Sequence, residues 1–124
     1  MTAPNIVNVS TITAKTASAA LGTSAASIVS NAASSNKVFK VNTIICSNVD
    51  GSNNADVSIF LNDGAAGAGS TNRAIVKTVV VPADASLVVI DANSKLYLEE
   101  NTSITALASA ASDLEIIISY EEIS

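Results

Sequence analysis

"KVFKVNTIIC" (Lys37–Cys46) is the stretch whose reading decides the fold. Its residues alternate. Val38, Lys40, Asn42 and Ile44 fall on one side, and Phe39, Val41, Thr43 and Ile45 on the other. The second set is the more apolar, which is the period-two pattern of a strand with one buried face. Cys46 closes the run in the apolar company of "VNTIICSNV" and reads as a small buried thiol.

Outward from this strand the chain repeats the theme. "ADVSIFLND" places Val57, Ile59 and Leu61 on one face, and "RAIVKTVVVP" is β-branched until Pro82, which has no ladder donor. "ASLVVIDA", "KLYLEE", "TSITALAS" and "DLEIIISYEEI" follow, separated by turn signals at Asp50-Gly51, Asn62-Asp63-Gly64, Pro82-Ala83-Asp84, Asp91-Ala92-Asn93 and Glu100-Asn101. Only Thr16–Ser35 invites a helix. Its large apolar residues are Leu21, Ile28 and Val29, and Gly22 with the dense Ser and Thr lowers helix propensity. Two strands, around Lys15–Leu21 and Ala25–Val29, fit it better. The expectation is an all-β chain: an extended arm over residues 1–10, then a single-domain antiparallel β-sandwich over 11–124. It should be jelly-roll-like, with about eight or nine short strands.

A chain of 124 residues and 12.5 kDa fits one domain, exposing roughly 6,200 Å² when folded. One cysteine cannot form an internal bridge, so nothing points to an oxidising compartment. No apolar run approaches the ~20 residues that span a bilayer. "MTAPNIVNVS" has neither the basic region nor the apolar core of a signal peptide. Hydrophobic residues are 48% and charged residues only 14%, so Ser, Thr, Asn and Ala must cover much of the surface. A surface of that kind suits burial against other subunits. Residues 1–49 carry three lysines and no acid; residues 50–124 carry three bases and eleven acids, for the net −5. That polarity favours head-to-tail association, and the net acidity argues against nucleic acid.

"LNDGAAGAGSTNR" (Leu61–Arg73) comes close to a phosphate-binding loop, since Gly64 and Gly69 have the spacing of G-x-x-x-x-G-K-[ST]. Ser70 stands where lysine is required, and a β-branched strand follows where a helix N-terminus is needed. The stretch therefore reads as a mobile hairpin loop, with Asp63, Gly64, Gly67, Gly69, Asn72 and Arg73 exposed for contact. There is no histidine, which removes the commonest general base and metal ligand. Read as a calcium loop from Asp50, "DGSNNAD" puts Ala55 where glycine is needed and Leu61 where the bidentate glutamate belongs. Glu99-Glu100 and Glu121-Glu122 are neighbours along strands, so each pair points to opposite faces. A cross-strand meeting such as Glu99 with Glu121 would bind a cation; edge charge against aggregation is the plainer reading. Tyr97 and Tyr120, with no Trp in the chain, read as core-edge residues with wet hydroxyls and not as a sugar platform. No catalytic residue, metal site, cofactor or small-molecule substrate is expected.

Lys77–Ser124, "KTVVVPADASLVVIDANSKLYLEENTSITALASAASDLEIIISYEEIS", resembles small virion structural proteins of tailed bacteriophages, especially those infecting marine cyanobacteria and related hosts. The matching features are Pro82, Leu87–Asp91, Tyr97–Glu100, Ala108–Ala111 and Ser119–Ser124. Upstream, Lys37–Ile59 and Thr13–Ala32 are similar to that family's K-V-x-K-I-N segment and its opening strands. Asn101 replaces a usual glycine, as asparagine can in a turn. The resemblance implies a non-enzymatic β-sandwich component of a virion. The leading expectation is a capsid decoration (cement) protein on the head exterior, made in the bacterial cytoplasm. Its partners would be the major capsid protein and copies of itself, with trimers expected by analogy. Met1, Thr2, Ala3, Pro4, Asn5, Ile6 and Val7 would form a docking arm that adds a strand to a neighbour. A low-copy tail, neck, baseplate or fibre accessory, or a glycan-binding adhesin using the 62–72 loop, are the alternatives.

Overall fold

A computed structural model describes residues 9–124, and within them the chain is all-β. Nine strands run in order: β1 (Ile12–Ala20), β2 (Ala26–Asn31), β3 (Val38–Asn48), β4 (Ala55–Asn62), β5 (Asn72–Val81), β6 (Ser86–Ile90), β7 (Leu96–Leu98), β8 (Thr102–Ala108) and β9 (Leu114–Ile123). One 3₁₀ turn, Ala65–Gly67, interrupts the β4–β5 connection. The Ala/Ser-rich stretch forms β1 and β2, as its low helix propensity implied.

The strands divide into two antiparallel sheets, β1-β9-β3-β6 with β7 also on β3, and β2-β8-β4-β5. β6 and β7 both pair with β3, at Ile44–Ser47 and Phe39–Val41 respectively, so together they fill one strand position. Each sheet then has four positions, in the alternating order of a jelly roll. The exposed area is 6354 Å², close to what one compact domain of this mass should show.

The core lies between the sheets. Leu114, Ile116 and Ile118 of β9 meet Ile104, Ala106 and Ala108 of β8, with Val57 and Ile59 of β4 and Val41, Ile44 and Cys46 of β3. Cys46 is fully buried, and burial pushes its thiol up to about 11. Leu21 closes one end: its N–H donates to the Leu114 carbonyl, and its own carbonyl accepts from Ser112 N.

The faces of β3 change phase along the strand. Phe39 and Val41 point inward as the alternation requires, but a bulge between Val41 and Thr43 shifts the register against β9. Beyond it Ile44 and Cys46 are the buried residues, while Thr43 and Ile45, expected inside, are only half-buried. A bulge inserts one unpaired residue, and with a period of two that single residue exchanges the faces. β4 departs more mildly: Val57 and Ile59 are buried as expected, Leu61 is half-buried, and Asn62 is buried.

Candidate interaction surface

Three buried asparagines tie down the connections between strands. Asn31 Nδ2 donates to the Lys37 and Leu98 carbonyls at 2.9 and 3.1 Å. Asn48 Nδ2 donates to Asn53 O and Val81 O, and its Oδ1 accepts from Asp50 N. Asn62 serves the β4–β5 connection. An amide supplies two donors and an acceptor that binds twice, and Asn62 uses all four: Nδ2 to Gly69 O and Asn72 Oδ1, Oδ1 from Gly64 N and Gly69 N.

That connection is therefore not the free loop the sequence suggested. It folds back across the outer side of β8 and β2 as a strap. Gly67 N donates to Ser103 Oγ, which itself donates to the Gly64 carbonyl at 2.7 Å. Ala66 N donates to Ser30 Oγ and Ala65 N to Asn101 Oδ1. Gly64 and Gly69 pass so closely that a Cβ on Gly64 would sit 2.7 Å from the Gly69 Cα, and Gly67 has φ +73. The glycines serve close packing and a left-handed turn, not phosphate. Of the residues expected to be exposed, Asp63, Asn72 and Arg73 are; Gly67 and Gly69 are half-buried, and Gly64 is buried. Asn101 has φ 59, the conformation that glycine or asparagine suits.

Of the acidic candidates, Glu100, Glu121 and Glu122 are engaged by neighbours, and Glu99 is exposed. Glu122 Oε2 lies 2.9 Å from Lys15 Nζ and its Oε1 3.0 Å from Lys37 Nζ. Partial burial acts to raise the Glu122 carboxyl, but the hydrogen bonds and charges of the two lysines outweigh it and hold it below the ordinary range. Glu121 accepts from Asn42 Nδ2 at 3.1 Å and lies 3.8 Å from Lys40 Nζ. Glu100 Oε2 accepts from Asn36 N, while Oε1 is buried without a partner. Asp50 caps its own turn, accepting from Ser52 N and from the Asn53 backbone and side chain, which lowers its pKa. Among the described residues no three acidic or thiol side chains converge as metal ligands do.

Folding also rearranges the charge. Lys15, Lys37 and Lys40, the basic start of the sequence, meet Glu121 and Glu122 of its acidic end. The charge along the chain thus cancels in space, and a different polarity replaces it. Asp50, Asp56, Asp84, Asp113 and Glu115 all lie where β3 and β5 end and β4 and β9 begin, and no base lies there. The other six acids balance the six bases, so the net −5 belongs to this one end of the sandwich.

The two outer faces differ. On the β2-β8-β4-β5 sheet the strap covers Ser103 and crowds Thr105. Among the described residues nothing covers the β1-β9-β3-β6 sheet, where Thr16, Ser18, Ile117, Ser119, Ile45 and Val88 form an uncharged band across four strands. Ile117 is 45% exposed and Val88 58%, and neither carries a structural load on the core. Lys40, Glu121 and Glu115 stand only at the margins of this band. Small residues on β1 leave an open depression of about 490 Å³ beside Ala14, Thr16, Asn42, Ser119 and Glu121. The docking-arm residues Met1–Val7 lie outside the described residues. The chain behind them is anchored, with Ser10 N and Thr11 N both donating to the Ser124 carbonyl.

No protein-family model and no curated protein matches this sequence. Among solved structures, the chain is similar to one from Bacillus endospore appendages, described as a novel family of disulfide-linked pili. The TM-score is 0.53 at 17% identity, over 92% of this chain and 87% of that one. At that identity the likeness concerns the arrangement of strands, which the two chains share over nearly their whole lengths.

Proposed function

We propose that this chain is a non-enzymatic structural subunit of a many-copy particle, and specifically a decoration protein of a tailed-phage head. The observation that carries the reading is the contrast between its outer faces. One is closed by the protein's own strap, and the other, among the described residues, is a bare, uncharged band of Ser, Thr and aliphatic side chains. Bare faces that lack charge at their centre are what protein partners cover. The fold likeness to a pilus component supports a role in assembly. The resemblance of Lys77–Ser124 to phage virion proteins supports the particle.

A filament component is the second reading, favoured by that same fold likeness. Linkage of copies by disulfides, the chemistry in the appendage's description, has no exposed thiol to use in these 124 residues, because the one cysteine is buried. Contacts in such an assembly would be non-covalent. Deleting Met1–Ser10 tests the docking arm: the truncated domain should fold but no longer co-sediment with particles. Undiminished co-sedimentation would remove the arm from the account.

A further inference from the structure

Among the described residues the two sheets present four edges, and three of them are broken. β5 is bulged twice against β4, with Thr78 at φ 47. β2 is bulged between Ser27 and Val29 against β8. The edge beyond β3 is shared by β6 and β7, with the Asp91–Lys95 turn between them. Bulges and short strands are the devices by which sheets refuse another strand.

β1 has none of these devices. It pairs with β9 in unbroken register from Ile12 to Ala20, contains no proline or glycine, and turns the small side chains of Ala14, Thr16, Ser18 and Ala20 outward. We infer that two copies of this chain join through β1, antiparallel, about a two-fold axis at Thr16.

The register follows from that axis. Thr16 faces its own counterpart, Ala14 faces Ser18, and Ile12 faces Ala20. On the inner side Lys15 faces Ala17 and Thr13 faces Ala19. No like charges stand directly across the seam, where they would be destabilising. Lys15 is the one charge on this edge and points inward, itself a recognised guard against strand addition. Here its ammonium is drawn 2.9 Å from Glu122, and the residue it would face is an alanine.

Charge also chooses the direction. An antiparallel seam sets the acidic end of one copy beside the charge-balanced end of the other, where Lys15, Lys37 and Lys40 meet Glu121 and Glu122. It sends the two acidic ends to opposite extremities. A parallel seam would place net −5 beside net −5. Closure about a two-fold axis makes the same patch serve both copies. It also joins the two uncharged bands at Thr16 into one surface eight strand positions wide, with Lys40, Glu121 and Glu115 at its margins. This deepens the structural-subunit reading and rests on it for its purpose, though not for its geometry.

Cysteine scanning of the full chain reads the register directly. Thr16→Cys brings two thiols to a cross-strand pair about 5 Å apart, within disulfide range. Ala20→Cys leaves them eight residues apart, about 26 Å. With oxidised glutathione as oxidant, Thr16→Cys should form a covalent dimer at least tenfold faster than Ala20→Cys, with the buried Cys46 taking no part. Equal rates would overturn the seam. In sedimentation, combining Ala14→Glu with Ser18→Glu should raise the dimer Kd at least tenfold, and combining Ala14→Lys with Ser18→Glu should restore it. A parent chain that stays monomeric at millimolar concentration also refutes the seam. Particle binding by such a monomer would leave the structural role standing, whereas a dimer that ignores particles would do the reverse.

Discussion

Asn62→Ala tests whether the strap is built or merely resting. The substitution removes four hydrogen bonds at once, two given by Nδ2 and two taken by Oδ1. Gly64 N is buried, so its orphaned N–H should cost about 1–3 kcal/mol. Gly69 N and the Gly69 carbonyl are half-exposed and regain water, costing together about 1 kcal/mol. The total is about 3 kcal/mol. With an unfolding entropy of about 2.1 cal/mol/K per residue over 124 residues, that lowers Tm by about 11 °C. Urea unfolding followed by circular dichroism measures it, with the m-value unchanged. Asn62→Asp keeps the acceptor for both glycine N–H groups but buries a carboxylate oxygen against the Gly69 carbonyl, so at neutral pH it should cost at least as much. A loss below about 1 kcal/mol for Asn62→Ala would refute the reasoning, because the connection would then be hydrated and free.

Ile118→Ala, at a fully buried site in the centre of β9, should cost about 3–4 kcal/mol in the same assay. Glu122 has its carboxyl held below the ordinary range by Lys15 and Lys37. Its contribution is therefore complete above the ordinary carboxylate range and is lost as pH falls through the depressed value. Glu122→Gln should flatten that acid limb of a Tm-against-pH curve, and an unchanged limb would count against the triad. Thr78 is β-branched at φ 47 and its side chain is exposed, so Thr78→Asn should stabilise by roughly 1 kcal/mol. Cys46, with its thiol near 11, should react with a thiol reagent only on unfolding, which timed labelling in urea would show.

Alternation and turn residues made most of the fold legible. They marked "KVFKVNTIIC" as a strand and split Thr16–Ser35 into two strands. What they do not carry is anything that depends on an insertion or on a distant partner. The bulge at Asn42 exchanges the faces of β3 because one extra residue has no signature in a period of two, and it is matched by Glu121, 79 positions away. The strap looked like a loose Gly/Ala loop because its anchors, Ser30, Asn101 and Ser103, belong to other strands and turns. Asn31 and Asn48 went unmarked for the same reason: an asparagine buried to lock a turn looks in sequence like one in a solvated turn. Charge misled in an instructive way. The basic first part and acidic remainder neutralise each other across β1, β3 and β9, and the polarity that survives is between the ends of the sandwich.

The most direct test of the structural role is the copy number of this chain in purified particles, by quantitative peptide mass spectrometry against the major capsid protein. A decoration protein on the head lattice requires a ratio near a simple fraction of that protein. A few copies per particle would contradict decoration and move the chain to the tail or neck. Its absence from clean particles would contradict the virion role altogether.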